Sequence, residues 1–212
     1  MTQILFIQAS PRGKDSQSTQ LARAYLDALR ATNPDVEVDS LELSTAGLPA
    51  FDGDKAAAKL NIMTGRAHDA GQKSAWDQIV EIADRFISAD RYLLAVPMWN
   101  GGIPYHLKQY IDLIHQPGLL FGLKPESGYY GLLEGKHATL ALTSGAYAQH
   151  LPSPAFGKDH HSTYLRSWLN QAGVTAIDEL RFQPTVLTAD PAGDFARAKV
   201  AARELAELHG RV

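Results

Sequence analysis

Three short apolar runs, separated by amphipathic segments, constrain the fold of this chain most strongly. They are ILFIQA at residues 4–9, RYLLAVP at residues 91–97 and HATLALTSG at residues 137–145. Apolar runs of this length that do not alternate with polar residues are typical of strands buried on both faces, as in a parallel sheet. VEVDSLEL at residues 36–43 alternates and predicts a strand nearer the sheet edge, and IDELRFQPTV at residues 177–186 predicts the last strand.

Helical spacing of apolar residues predicts helices between these strands. The periodic positions are Leu21, Ala22, Tyr25, Leu26 and Leu29; Trp76, Ile79, Ile82, Ala83 and Ile87; Leu107, Tyr110, Ile111 and Ile114; and the segments 164–171 and 195–208. Strand and helix therefore alternate, and no connection between them has the pattern of a hairpin. We expect an α/β fold with a doubly wound parallel sheet and helices on both faces, in either the flavodoxin-like or the dinucleotide-binding strand order.

Length and composition narrow the class of protein. A chain of 212 residues predicts a single domain spanning residues 1–212. The net charge of −3 argues against nucleic acid as a partner, and the absence of cysteine excludes disulfides and thiolate catalysis. No apolar run approaches the roughly 20 residues of a membrane span, and the start of the chain lacks the basic region of a signal peptide. We therefore expect a cytoplasmic protein that binds neither membrane nor nucleic acid.

Ligands of open parallel sheets bind beyond the carboxyl ends of the strands, and three loops predicted there carry unusual residues. SPRGKDSQST at residues 10–19 offers hydroxyls and the amide groups of a helix start, which suit a single phosphate. PMWNGGIP at residues 97–104 offers an aromatic side chain and a glycine-rich backbone to the edge of a planar ring. TSGAY at residues 143–147 adds a glycine, a hydroxyl and an aromatic wall.

Each of these loops also has a purely structural interpretation. Ser16 or Ser18 can simply cap a helix, Trp99 can be an ordinary core side chain, and TSGAY can be a strand-to-loop turn. The hypothesis of a binding site depends on their coincidence, because the three loops follow the three most buried strands. Residues 116–136 form a further unusual segment, since connections of that length are uncommon in compact domains and often serve as lids or binding loops.

Three other patterns resemble known functional motifs but lack a feature that each motif requires. GRAHDAGQKS at residues 65–74 has the wrong glycine spacing for a P-loop and no buried strand before it, so we expect a helix start or a loop. Asp159, His160 and His161 lack a further ligand at suitable spacing, so we expect a solvent-facing pair of histidines rather than a metal site. The chain has no G-x-S-x-G elbow, which argues against a serine hydrolase.

With these loops placed, the chain resembles the FMN-dependent NADH-azoreductase family of flavodoxin-like flavoproteins. The matching features are Ser10 with the Ser16-Gln17-Ser18 step, PMWN at residues 97–100, GIP followed by LKQYIDLI, the segment 121–136 that ends in GLLEGK, and TSG at residues 143–145. The resemblance implies a flavodoxin-like five-stranded sheet, non-covalent FMN, NADH or NADPH as electron donor, and a homodimer. It also implies two-electron ping-pong transfer of a hydride through the flavin to a quinone or an aromatic azo compound.

The resemblance assigns residues to this flavin position by position. Ser10, Ser16, Gln17 and Ser18 would hold the ribityl phosphate; Pro97, Met98, Trp99, Asn100 and Gly101 would line the isoalloxazine; and Ser144, Gly145, Ala146 and Tyr147 would line its pyrimidine side. Phe121, Tyr129 and Tyr130 are candidates for the wall of a substrate slot across the dimer interface, or else pack the surface of a lid. No catalytic side chain and no metal ligand is expected, because the cofactor carries the hard chemistry.

The sequence departs from the family at two places. The family often has a bulky aromatic residue where Gly101 stands and a Gly-Gly step where this chain has Ala146-Tyr147. We expect these changes to alter the substrate range rather than flavin binding. The alternative function is that of a flavodoxin-type electron carrier that docks to protein partners, but such carriers are markedly acidic and this chain carries a net charge of only −3.

Overall fold

A computed structural model of the chain describes residues 2–210, which build a five-stranded parallel sheet and a separate two-stranded hairpin. The strands are β1 (Thr2–Gln8), β2 (Val36–Glu42), β3 (Arg91–Pro97), β4 (Phe121–Lys124), β5 (Gly128–Gly131), β6 (His137–Thr143) and β7 (Ala176–Phe182). The large sheet has the order β2-β1-β3-β6-β7 with every pair parallel. This is the flavodoxin-like strand order, so the predicted fold class is confirmed.

Helices cover both faces of the large sheet, as the sequence predicts. They are α1 (Gln17–Thr32), α2 (Gly53–Thr64), α3 (Ala70–Ser88), α4 (Tyr105–Ile114), α5 (Ser162–Ala172) and α6 (Pro191–His209), with a 3-10 turn at Gly13–Asp15 ahead of α1. Helices α1 and α6 pack on one face, and α3, α4 and α5 pack on the other. Within residues 2–210, no helix combines the length and the apolar character that crossing a bilayer requires.

The central strands are apolar on both sides because helices cover both sides. In β3, Leu93 packs toward α1 and α6, whereas its neighbour Leu94 packs toward α3, α4 and α5, and both side chains are fully buried. Successive residues of a strand point to opposite faces, so two covered faces require an uninterrupted apolar run. Strand β2 lies at the sheet edge, where its alternating pattern predicts it.

The strand order places a crevice between β1 and β3. The chain leaves β1 toward β2 on one side and then returns to β3 on the other side of β1. The helices that follow β1 and β3 therefore lie on opposite faces, and the loops at the carboxyl ends of these two strands separate. This is the position at which doubly wound sheets bind ligands.

Residues 116–136 differ from the expectation that no connection contains a hairpin. Strands β4 and β5 pair in antiparallel fashion, and Gly128, with φ of 83°, ends the turn between them. The backbone amides of Leu132 and Leu133 both donate to the carbonyl of Ala172, at 3.1 and 3.0 Å. The hairpin is therefore anchored at the end of α5, near the amino edge of the sheet. Its strands have only four residues each, too few for a recognisable alternation.

Two strand ends also differ from the sequence-based bounds. Strand β7 ends at Phe182 rather than at Val186, and Pro184, two residues later, has no N–H with which to continue a ladder. Strand β6 ends at Thr143 rather than at Gly145. Both strands therefore end earlier than the sequence predicts, and the residues that follow them belong to the loops at the carboxyl edge of the sheet.

The segment that resembles a P-loop begins a helix instead. Asp69 caps α3 by accepting from the amide of Gln72, and the Gln72 side chain accepts in return from the amide of Asp69. This reciprocal pair is a capping box. Gln72, the residue that breaks the P-loop spacing, thus has a structural role, and the predicted helix start is confirmed.

Candidate functional site

The loops after β1, β3 and β6 meet at the carboxyl edge of the sheet and line a crevice of about 130 Å³. Its walls are formed by Ser10, Arg12, Ser16, Gln17, Pro97, Met98, Trp99, Thr143, Ser144, Gly145 and Thr185. The structure thus brings together residues of all three loops that the sequence singles out. Five of the residues assigned to the flavin from sequence are adjacent in the chain to this lining without being part of it: Ser18, Asn100, Gly101, Ala146 and Tyr147.

Backbone hydrogen bonds hold the walls of the crevice in place. The amide of Met98 donates to the carbonyl of Thr143 at 2.7 Å, which ties the β3 loop to the β6 loop. The amide of Thr185 donates to the carbonyl of Ser144 at 2.8 Å, and that of Val186 donates to the carbonyl of Gly145 at 3.0 Å. Sequence reasoning missed this fourth loop, which follows β7, because it extended the strand through the same residues.

The first turn of α1 is organised to receive an anion. Ser16 occupies the N-cap position, yet its side chain accepts no hydrogen bond from the helix. Its hydroxyl lies instead 2.9 Å from the hydroxyl of Ser18, and both side chains are buried. Among the described residues, no protein acceptor bonds the amides of Gln17, Ser18 or Thr19. The interpretation of Ser16 as a simple capping residue is therefore wrong. The amides without a protein acceptor stand at the positive end of the helix dipole, where Ser16 and Gln17 line the crevice.

The second loop turns back on itself directly after Trp99. Asn100 has φ of 49° and Gly101 has φ of 83°, while Trp99 and Gly102 exchange two backbone hydrogen bonds of 2.9 and 3.0 Å. Two central residues with positive φ, one of them Asn and the next Gly, are typical of a type I′ turn. Within residues 2–210, the amides of Asn100 and Gly101 donate to no protein acceptor. The turn therefore presents two free donors in a fixed backbone geometry beside Trp99, which is 38% exposed.

The third loop differs from the expectation in one respect. The hydroxyl of Ser144, expected as a donor to a ligand, donates to the carbonyl of Tyr147 and so closes a turn within the loop. A Cβ on Gly145 would meet only Val186, at 3.8 Å, so the protein itself does not require glycine there. The space beside Gly145 is therefore available to a ligand. Partial burial raises the pKa of Tyr147, which keeps its hydroxyl protonated at neutral pH.

The three aromatic residues of the hairpin lie away from the crevice of their own chain. Phe121 is buried and packs on His115, with ring centroids 4.7 Å apart, so it is part of the core rather than an accessible wall. Tyr130 lies over Gly122 of the opposite strand, and the Lys124 ammonium is 5.0 Å from its ring centroid. Tyr129 is 54% exposed. None of the three lines the crevice of the chain that carries it.

A larger cavity of about 540 Å³ lies beside β2, between the residues after that strand and α3. Its wall contains Tyr110, whose hydroxyl is buried and has no hydrogen-bond partner among the described residues. Arg85, also in the wall, is engaged by Asp39 through two hydrogen bonds of 2.7 and 2.6 Å. No loop from β1, β3 or β6 reaches this cavity. We therefore take the smaller crevice, with its free amides at the switch in strand order, as the functional site.

The sequence predicts that His160 and His161, before α5, both face solvent, and for His161 this prediction is wrong. His160 is exposed, but His161 is fully buried and neither of its ring nitrogens has a partner among the described residues. Burial lowers the pKa of His161 to about 4. Asp159 accepts from the amide and the hydroxyl of Ser162, at 2.8 and 2.6 Å, and so holds the start of α5. These residues form a structural helix start.

Comparisons with known proteins agree with the flavodoxin-like fold. The family model described as flavodoxin-like fold matches residues 2–206. A protein of Ruegeria pomeroyi named FMN-dependent NADH:quinone oxidoreductase is 48% identical over 201 residues, which cover 95% of this chain and 98% of that protein. A Pseudomonas syringae protein named FMN-dependent NADH:quinone oxidoreductase 2 is 38% identical over 210 residues, covering 99% of this chain and 98% of its own length.

Solved structures share the fold at lower sequence identity. An azoreductase of Bacillus anthracis superposes with a TM-score of 0.87 and 23% identity, covering 98% of this chain and all of that one. An FMN-dependent NADH-azoreductase of the same species, solved in complex with FMN, superposes with a TM-score of 0.85 and 23% identity, covering 99% of this chain and 100% of that chain. At this level of identity the structures support the fold alone.

Proposed function

The chain belongs to the flavodoxin-like family, and within it to the group of the FMN-dependent NADH:quinone oxidoreductases, and from this premise we propose that it is such an enzyme. It transfers two electrons from NADH or NADPH to quinones and aromatic azo compounds by way of non-covalently bound FMN. Residues 2–210 act as one domain around the crevice.

One observation carries this proposal: Ser16 stands at the N-cap of α1 without capping it. A serine at that position normally accepts from an amide of the first turn, so its failure to do so leaves those donors for a ligand. The buried hydroxyls of Ser16 and Ser18 belong to the same turn as these amides, and Ser10 lines the same crevice as Ser16. A phosphate monoester satisfies all of these donors at once. The residues present therefore fit the phosphate end of FMN.

The enclosed volume of about 130 Å³ suits a phosphate and the start of its linker, so the rest of the ligand extends over the rim. There, Met98 and Trp99 would offer an apolar surface to the isoalloxazine, and the free amides of Asn100 and Gly101 would donate to its polar edge. Gly145, Ala146 and Tyr147 would hold its pyrimidine side. The type I′ turn fixes both free amides without a ligand present, so little ordering is needed on binding.

FMN supplies hydride and electron-transfer chemistry when it is bound, and the protein supplies position and electrostatics. The free amides of Asn100 and Gly101 would stabilise negative charge that develops on the bound ring. Trp99 at the rim is 38% exposed, so the protein would leave space for NADH and for the acceptor to bind in turn, as a ping-pong mechanism requires. No side-chain acid lines the crevice, and product protons come from solvent through the open rim.

We further propose that the enzyme acts as a homodimer in the cytoplasm, where nicotinamide nucleotides are available. The described surface carries large exposed apolar side chains on the hairpin and on α2: Leu123, Tyr129 and Tyr130, with Leu60 and Met63. Exposed apolar groups on neighbouring elements favour association with another protein surface. In a dimer, the hairpin of one chain can bring Tyr129 to the crevice of the other, which is the substrate-slot role expected for it.

Purification of the full chain tests the proposal directly. We expect a yellow protein, or a colourless one that takes up FMN, and steady-state oxidation of NADH with menadione as the sole acceptor. A pure electron carrier would bind FMN but turn over poorly without a separate reductase, so menadione turnover distinguishes the two function classes. A chain that does not bind FMN supplied in excess contradicts both.

A further inference from the structure

Two histidines and an aspartate converge at the edge of the sheet opposite the crevice. His137 begins β6, Asp178 lies near the start of β7, and His209 ends α6. The crevice lies at the other ends of these strands, so a strand of seven residues, about 20 Å, separates the two places. The cluster therefore has no part in the function proposed above.

Both imidazoles point at a single carboxylate oxygen. The Nε2 atom of His137 lies 2.8 Å from Oδ2 of Asp178, and the Nε2 atom of His209 lies 3.1 Å from the same oxygen. The two rings are nearly perpendicular, with centroids 4.7 Å apart. All three ligand atoms lie within 4.8 Å of one another. Three donor atoms from three different elements thus surround one small volume.

This arrangement matches the spacing of a tetrahedral metal site. Zn²⁺ binds histidine nitrogen and carboxylate oxygen at about 2.0–2.2 Å, so two ligands of a tetrahedral ion are about 3.3 Å apart. The two separations between a histidine nitrogen and the Asp178 oxygen, 2.8 and 3.1 Å, are slightly shorter than that value, and all three ligand atoms lie within 4.8 Å of one another. His137 and His209 are mostly buried, while Asp178 is partly exposed, which leaves a route for an ion and a position for a water ligand.

The surroundings of His209 resemble the outer shell of a metal ligand. The Tyr25 hydroxyl lies 2.7 Å from Nδ1 of His209, so the ring is held from the side opposite Asp178. When Nε2 binds a metal, the neutral ring of His209 carries its proton on Nδ1 instead. The Nδ1–H group then donates a hydrogen bond to the Tyr25 oxygen, and the number of protons on the ring does not change. Arg91 donates to the carbonyl of His209 at 3.4 Å and adds a nearby positive charge, which weakens the affinity for any cation.

We propose that His137, Asp178 and His209 form a binding site for a divalent transition metal of the zinc class. Nitrogen and carboxylate ligands favour Zn²⁺ and its neighbours Co²⁺, Ni²⁺ and Cu²⁺ over the alkaline-earth ions. The metal connects the last turn of α6 to β6 and β7 and thereby holds the carboxyl-terminal helix on the sheet. Because only one ligand is charged and Arg91 is close, we expect micromolar rather than nanomolar affinity.

The test uses the full chain without a histidine tag, carrying whatever flavin it retains. Titration calorimetry with Zn²⁺ alone is expected to give one ion per chain, and Zn²⁺ is expected to raise the melting temperature. His137→Gln and His209→Gln are each expected to weaken Zn²⁺ binding at least tenfold. The matched control His160→Gln removes an exposed histidine outside the cluster and leaves binding unchanged.

A second measurement applies if either variant does not fold. In the wild-type chain, ¹⁵N NMR of the imidazole rings is expected to show Zn²⁺ shifting the Nε2 resonances of His137 and His209 and no other ring to the same degree. Failure of the chain to bind Zn²⁺, or binding that persists undiminished in both variants, overturns the proposal. In that case the cluster is only a pair of hydrogen bonds to Asp178. Neither result depends on FMN, so the outcome is independent of the enzymatic function.

Discussion

The hydroxyl oxygens of Ser16 and Ser18 lie 2.9 Å apart in the buried first turn of α1, and neither caps the helix. These two hydroxyls bond to each other beside free helix amides, and each O–H group can rotate to donate to an anion. The same residues can therefore hold a phosphate without any change of the backbone. This relationship leads to the first prediction.

Replacement of Ser18 by alanine is expected to weaken FMN binding about tenfold to a hundredfold, because a hydrogen bond to a charged group contributes roughly 1.5–3 kcal/mol. Affinity for riboflavin, which has no phosphate, should stay the same. Quenching of flavin fluorescence measures both dissociation constants. Ser74→Ala, an exposed serine on α3, serves as the control. Equal losses for FMN and riboflavin would show that Ser18 does not contact the phosphate.

Gly101→Ala is expected to lower stability or FMN affinity by about 1 kcal/mol, because alanine disfavours the positive φ of 83° at this position. Gly102→Ala is the matched control. A Cβ on Gly102 meets nothing within 4 Å and its φ is not positive, so it should be nearly neutral. Thermal unfolding and FMN titration compare the two variants. Similar losses in both would mean that the backbone turn is not what limits this loop.

His161 is expected to make the chain less stable as the pH falls. Its pKa of about 4 in the folded chain lies below the ordinary value of 6.5. Between pH 6.5 and pH 4 the imidazole is therefore protonated in the unfolded chain but neutral in the folded chain. The free energy of unfolding therefore falls as the pH drops from about 6.5 to 4, by roughly 3 kcal/mol at most. Guanidinium unfolding at pH 7.5 and pH 5 measures the larger part of this difference, about 2 kcal/mol.

The control for this pH dependence is a chain without the buried imidazole. His161→Leu should flatten the difference between the two pH values, whereas His160→Gln, at the exposed neighbour, should leave it intact. If both variants retain the full difference, other groups cause the pH dependence and the buried ring of His161 contributes little.

Leu123→Glu is expected to weaken dimerisation, because it places a charge on the exposed apolar surface of the hairpin. Sedimentation velocity over a range of protein concentrations measures the dimer constant, and menadione reduction should fall together with the dimer fraction. Glu126→Lys changes a charge at the nearby hairpin turn and is expected to leave both unchanged. A wild-type chain that remains monomeric at all concentrations would contradict the proposed interface.

Much of the site could be predicted from sequence because strand ends can be located from apolar runs. The runs that became β1, β3 and β6 gave the positions of three loops, and a parallel sheet must bring those loops to one edge. Ser10, Ser16, Trp99 and Gly145 follow from this reasoning. Thr185 does not, because the apolar pattern after β7 continues beyond the point where Pro184 ends the ladder.

Other features depended on pairwise geometry that no local pattern records. The N-cap position of Ser16 predicts a cap, and only the side-chain rotamers show that its hydroxyl pairs with Ser18 instead. From the sequence, the hydroxyl of Ser144 is a possible donor to a ligand. Only the folded loop shows that this hydroxyl donates to the carbonyl of Tyr147. The hairpin of residues 121–131 was also missed, because its strands are too short to show a recognisable alternation of apolar and polar residues.

The sequence by itself determined the doubly wound sheet, its covered central strands and the edge at which a ligand binds, because burial on one or two faces imposes a repeat that can be counted along the chain. The tertiary structure alone decided which side chains meet. His137, Asp178 and His209 are separated by 41 and 31 positions, and only the register of β6 with β7 and the docking of α6 bring them within hydrogen-bond distance. Contacts between residues that are distant in the chain depend on three-dimensional packing, and no periodic pattern along the sequence indicates them.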